Sequence, residues 1–142
     1  MAITQTLCVS FKEELLEAKH NFSAAGGSTF KIALYSSSAN LDATTTAYTA
    51  TGEVVGTGYT AGGATLTNIS PSSSGTVAYA DFADVSWAAA SFTARGALIY
   101  NSSAENRAVM VLDFGLDRTV TAGTFSVTFP TADSNNAIIR IS

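Results

Sequence analysis

The chain has one cysteine, Cys8, and one histidine, His20, in 142 residues. A single cysteine excludes an intrachain disulfide. One Cys and one His also fall short of the four-ligand sets of structural zinc sites. Charge is scarce: Asp, Glu, Lys and Arg supply 13% of the chain, against a usual share of about 25%. The basic residues Lys12, Lys19, Lys31, Arg95, Arg107, Arg118 and Arg140 are scattered singly. Phosphate-backbone binding needs them clustered, so no nucleic-acid partner is expected. No run approaches the roughly 18 consecutive apolar residues of a membrane span. The opening Met1-Ala2-Ile3-Thr4-Gln5-Thr6 lacks a basic segment followed by an apolar one. Neither a membrane nor secretion is expected, and folding is assigned to a reducing cytoplasm. The N-x-S triplets at Asn21, Asn68 and Asn101 are then chance products of a Ser-rich chain.

Apolar residues make up 46% of the sequence, and Ser with Thr roughly a quarter, a composition that suits strands and polar turns. The length fits one domain, residues 1–142. Within it, residues 1–27 read as an N-terminal segment with a helix. Ser10 and Glu13 match an S-x-x-E capping box, and Phe11, Leu15, Ala18 and Phe22 recur at helical spacing. Lys12, Glu13, Glu14, Glu17 and Lys19 occupy the other faces. The pattern predicts a helix near residues 10–19, stopped by Ala24-Ala25-Gly26-Gly27.

From residue 28 the period becomes two. Phe30, Ile32 and Leu34 alternate with Lys31, Ala33 and Tyr35, as in a half-buried strand. Further strands are expected at 64–69, 76–82, 91–100, 107–114, 124–129 and 137–141. Ser70-Pro71-Ser72-Ser73-Ser74-Gly75 and Gly115–Arg118 read as turns between them. Short strands with frequent turns indicate a mainly β fold, an antiparallel β-sandwich or jelly-roll-like barrel with one short N-terminal helix. Residues 36–63 lack regular patterning and read as an extended arm that orders against a partner. Its large apolar residues, Leu41, Tyr48, Val54, Val55 and Tyr59, are the candidate interface residues, together with the segment 1–9.

The chemical inventory is thin. His20, near the end of a charged helix, reads as solvated, and Cys8 as a small buried residue. Gly56-Thr57-Gly58 with Gly62-Gly63 lacks the Gly-Lys-Ser/Thr ending of a phosphate loop. Asp81 and Asp84, with Asp113, offer oxygens for calcium but not the spacing of an EF-hand. Trp87 and the tyrosines at 35, 48, 59 and 100 would suit a sugar platform but equally a core or interface. No catalytic residue, cofactor or metal is expected.

Several stretches resemble small structural proteins of tailed bacteriophages. They are Lys31-Ile32-Ala33-Leu34-Tyr35, Gly52-Glu53-Val54, Gly58-Tyr59-Thr60-Ala61-Gly62-Gly63, Ala94-Arg95-Gly96-Ala97-Leu98-Ile99-Tyr100-Asn101 and Val111-Leu112-Asp113-Phe114-Gly115. Val120-Thr121-Ala122-Gly123-Thr124-Phe125, Phe129-Pro130 and Ala137-Ile138-Ile139-Arg140-Ile141 belong to the same pattern. The resemblance covers residues 29–141 and has no catalytic motif. It implies a virion protein of the capsid decoration or cement type, made in the host cytoplasm and carried on the capsid surface. Its partners would be the major capsid protein and further copies of itself, as a dimer or trimer. A tail, neck or fibre-associated protein is the alternative within the same class, and a carbohydrate-binding β-sandwich module the alternative outside it.

Overall fold

The computed structural model describes residues 2–142. Strands hold 49% of the chain and helix 6%. In chain order the elements are β1 (Thr6–Leu7), α1 (Val9–Leu16), β2 (Phe30–Tyr35), β3 (Ala64–Thr65), β4 (Asn68–Ser74), β5 (Val77–Phe82), β6 (Val85–Asn101), β7 (Arg107–Val127) and β8 (Ile139–Ile141). They form two antiparallel sheets, one in the order β1-β7-β6-β2-β3 and one in the order β4-β5-β8. Two such sheets sharing one core make the arrangement of a β-sandwich.

The centre of the larger sheet is β6 between β2 and β7, with Ile32 opposite Ile99 and Leu98 opposite Val111. Both faces of this centre are covered. On one face, Phe30 meets Phe82 of the smaller sheet edge-on at 5.6 Å, and Phe22 stacks on Phe30 at 4.5 Å. Phe11 of α1 closes the same cluster against Phe22 at 6.0 Å. On the other face, Tyr48 stacks on Tyr100 at 4.9 Å, and Tyr59 packs on Phe92 at 5.8 Å. Both Tyr48 and Tyr59 come from residues 36–63. β2 is therefore buried on both faces, not half-buried as its alternation predicts: Ala33 and Tyr35 are as inaccessible as Ile32 and Leu34.

Residues 36–63 are thus no extended arm. They lie along the sheet, with isolated bridges pairing Ile3 with Leu41, Tyr35 with Glu53, Ala47 with Arg107 and Thr57 with Ser91. The chain itself supplies the apolar contacts expected of a partner. Gly56 and Gly58 let the chain pass close over residues 88–92 of β6, while Ile3 lies over Gly96.

Three local expectations are also corrected. α1 starts at Val9 with Cys8 at its N-cap and no side-chain cap. Ser10 Oγ donates to the Thr45 carbonyl at 3.5 Å instead of to its own helix. The helix stops at Leu16, eight residues short of Ala24, because Ala18 enters the left-handed region at φ 61°. The stretch 70–74 is strand, paired with β5, and only Gly75-Thr76 turns the chain. A register break between Ile69 and Ser72 accommodates Pro71, which has no N–H for the ladder. Finally, Gly115–Arg118 does not reverse the chain. Gly96 faces Asp113 and Ala94 faces Arg118, so Arg95 alone is set against residues 114–117 in a wide bulge, after which β7 resumes its course.

Candidate functional site

Two polar networks hold the covering layers to the sheet. The first centres on Glu53. One carboxylate oxygen accepts from the Tyr48 hydroxyl at 2.6 Å. The other accepts from the Tyr59 hydroxyl at 2.5 Å and from the Gly62 N–H at 2.8 Å. The Tyr59 oxygen in turn accepts the Leu34 N–H of β2 at 2.9 Å, and Val54 N–H donates to the Leu34 carbonyl. Tyr100 donates to the Gly62 carbonyl and Tyr35 to that of Thr49, both at 2.6 Å. Burial first, and then the bond to the Glu53 carboxylate, push the Tyr48 phenol up to about 12 and the Tyr59 phenol higher still.

The second network ties α1 to the β6–β7 turn. Glu14, 6% exposed, bonds His20 Nε2 at 2.9 Å and Arg107 at 2.9 Å. His20 Nδ1 faces the Asn101 amide nitrogen at 3.0 Å. Asn101 Oδ1 accepts the Ser103 N–H, and its Nδ2 also reaches the Lys19 carbonyl. That fixes the amide orientation, so Asn101 donates to Nδ1 and Nε2–H donates to Glu14. The sequence reading placed His20 in solvent. Its side chain is 0% exposed, because the early end of α1 folds residues 18–22 back over the core. The signal for this network was present in the spacing: Glu14 shares the helical stripe of Phe11 and Leu15.

Neither the imidazole nor the thiol is open to a substrate. Both ring nitrogens of His20 are engaged, and Cys8 is fully buried, its thiol pushed up to about 11 by burial, then by Asp42 and Glu14. The three aspartates considered for calcium are committed to the backbone: Asp81 to the Phe82 N–H, Asp84 to that of Phe129 and Asp113 to that of Gly115. Asp81 Oδ2 is buried without a hydrogen-bond partner among the described residues, and desolvation raises this carboxyl above the usual range. Among the described residues no three His, Cys, Asp or Glu side chains are grouped to hold a metal ion.

The candidate interface residues separate into two kinds. Leu41 and Val54 are buried in the chain's own core, at 1% and 5% exposure, and Tyr48 and Tyr59 are half-buried around Glu53. Val55 stands outward at 96% exposure. Of the segment 1–9, Met1 lies outside the described residues. Ile3 and Leu7 pack against the core, and Val9 is exposed. An apolar recess that sequence reasoning missed is a groove of about 420 Å³ between the end of α1 and the inner face of the smaller sheet, lined by Leu15, Ala18, Phe22, Pro71, Ile139 and Ile141 among others. Trp87 is no open sugar platform: it is 7% exposed and packs on Phe125 and Tyr59.

No family model matches this chain, and neither a curated protein nor a solved structure matches it.

Proposed function

We propose that the chain is a non-enzymatic structural protein of a tailed-bacteriophage particle, a capsid decoration or cement protein that binds the outer capsid lattice and stabilises the head. The sequence resemblance over residues 29–141 supports the class. The observation that carries the reading is how the fold commits its reactive groups. The single imidazole and the Glu53 carboxylate fasten the chain's own layers together, and the single thiol is buried in the core. What faces solvent is a β surface rich in hydroxyl side chains, such as Ser70, Ser72, Ser73 and Ser74 of β4 and Thr119, Thr121 and Thr124 of β7.

The mechanism is passive. Each copy adds contact area across the capsid lattice and so raises the free energy of separating capsid subunits. A standard interface buries about 1,600 Å², and repetition over the lattice multiplies the effect through effective concentration. Val55 is the arm residue whose side chain is free for such a contact.

The test is a cryo-EM map of the parent particle with purified chain added. Density of this fold on the outer capsid lattice is expected, and Val55→Glu should reduce occupancy without changing the melting temperature of the free protein. Density confined to tail, neck or fibres would move the chain to the alternative within the virion class. No density, with binding on a glycan array, would replace the reading by the carbohydrate-binding one.

A further inference from the structure

Asp81 is the most deeply buried acid among the described residues, at 1% exposure. It is also poorly satisfied. Its Oδ1 accepts the N–H of the next residue, Phe82, at 2.8 Å, and its Oδ2 has no hydrogen-bond partner among the described residues. The ion pairs among those residues engage Glu14, Glu105 and Asp113, not Asp81. The groups around it bring no positive charge to its aid. β4, on one side, places Ile69 opposite Asp81 and carries no charged residue. On β5 itself, Tyr79 stands two residues back on the same face. β8, on the other side, sets Arg140 opposite Tyr79, and that guanidinium donates to the Asn135 carbonyl. From the connection to β6 comes Asp84, a second negative charge, whose Oδ1 accepts the Phe129 N–H. A buried ion without a partner is costly enough that such a group gives up its charge instead. Burial raises the Asp81 carboxyl above the usual carboxylate range and Asp84 adds to it, against the pull of the neighbouring Phe82 and Ile138 N–H groups.

The position of Asp81 in the sheet gives its proton a mechanical consequence. The β5–β8 ladder ends with Ala80 opposite Ile139, one residue short of Asp81. β8 is an edge strand of three residues. An ionised Asp81 must gain water, and this short edge strand is the element that gives way most easily to admit it. We propose that Asp81 is a proton-operated latch: a neutral Asp81 keeps β8 closed on β5, and loss of its proton releases β8. The latch is fully closed below the ordinary aspartate value of about 4 and opens as pH rises through the higher value that Asp81 has in the fold. The inference stands whether or not the chain belongs to a virion.

Denaturant titration of the full chain at a series of pH values tests it, with Asp81→Asn as the permanently neutral form. The wild-type unfolding constant, divided by that of Asp81→Asn, should rise by up to about tenfold per pH unit above the ordinary aspartate value, and level off once Asp81 ionises in the fold. Asp84→Asn keeps an oxygen for the Phe129 N–H and removes the second charge. It should let Asp81 ionise at lower pH and so shorten the rise. Hydrogen exchange at the amides of β8, normalised to unstructured rates, should speed up over the same interval in the wild type and stay constant in Asp81→Asn. In the wild type alone, NMR should show the Asp81 carboxyl carbon still protonated above the ordinary aspartate value, a reading that needs no variant to fold. A ratio of unfolding constants that stays flat or falls as pH rises would overturn the proposal. So would normalised β8 exchange that ignores pH, or an Asp81 carboxyl that ionises at or below the ordinary value.

Discussion

Each oxygen of the Glu53 carboxylate carries a tyrosine hydroxyl, and one of them also takes the Gly62 N–H. An amide replaces it only in part, since Gln has one acceptor oxygen and its NH₂ would donate to one of the phenols, leaving that phenol's own O–H without Glu53 to accept it. Glu53→Gln should therefore lower unfolding stability by about 1–3 kcal/mol, the cost of leaving partly buried donors unpaired. Denaturant titration reads this directly, and a shift below about 0.5 kcal/mol would mean that the arm is held by packing alone. The same cluster sets an alkaline limit. Tyr35, Tyr48, Tyr59 and Tyr100 hold their protons more tightly in the fold than in the unfolded chain, burial being the first cause for each. Their contribution is fully present below the ordinary tyrosine value of about 10 and is lost as pH rises through the folded values, which for Tyr48 means about 12. Ultraviolet titration should show these phenols ionising together with unfolding, not before it. None of this was visible in sequence, because the arm has no period that would announce its contacts. Tyr48, Glu53 and Tyr59 converge only after the arm has crossed the sheet.

Among the elements, the strands with strong apolar alternation were legible and the others were not. β6 and β7 are read from Phe92–Tyr100 and Ala108–Phe114. β4 was missed because Ile69–Ser74 is exposed throughout and so carries no burial pattern, and its Ser and Pro residues are those of a turn. The helix was found but drawn too long. Leu15, Ala18 and Phe22 do share a cluster of contacts, yet a left-handed Ala18 delivers the last two from a loop. An alanine there costs about 1–2 kcal/mol, so Ala18→Gly should raise stability by roughly 0.5–1 kcal/mol. The reverse holds where the arm returns to β2. Gly63 has φ 81°, and an added Cβ would lie 1.8 Å from the Ile32 carbonyl oxygen. Gly63→Ala should cost at least about 2 kcal/mol, whereas Gly75→Ala, in a turn with open space around it, should cost only about 1 kcal/mol. Equal melting temperatures for the two variants would show that the arm does not approach β2 as closely as described.

Across the whole molecule, β6 and β7 run together for most of their length, but only half of this ribbon is enclosed. From Gly96 to Asn101, β6 lies between β2 and β7 and every side chain is buried. Beyond Leu112, β7 pairs with β6 on one side and with no strand on the other, as β1 reaches only Met110 and Val111. Residues 115–119 are exposed, and Leu116 stands out at 54% in the bulge opposite Arg95. An unpaired strand edge invites association, and a bulge carrying Asp117, with Arg118 just after it, is the kind of interruption that discourages it. Local opening should follow the same division, since amides with few buried contacts exchange from low-energy fluctuations, while enclosed ones wait for global unfolding. Hydrogen exchange should be slowest at Ala97–Tyr100 and Ala108–Val111 and faster from Leu116 to Thr124. Within the arm, the amides of Tyr48, Val54 and Gly63 should be protected, as each donates to a backbone carbonyl. Fast exchange across all of residues 36–63 would return the arm to the partner-dependent segment that its composition suggests. Uniform protection along β7 would mean that its free edge is covered in solution.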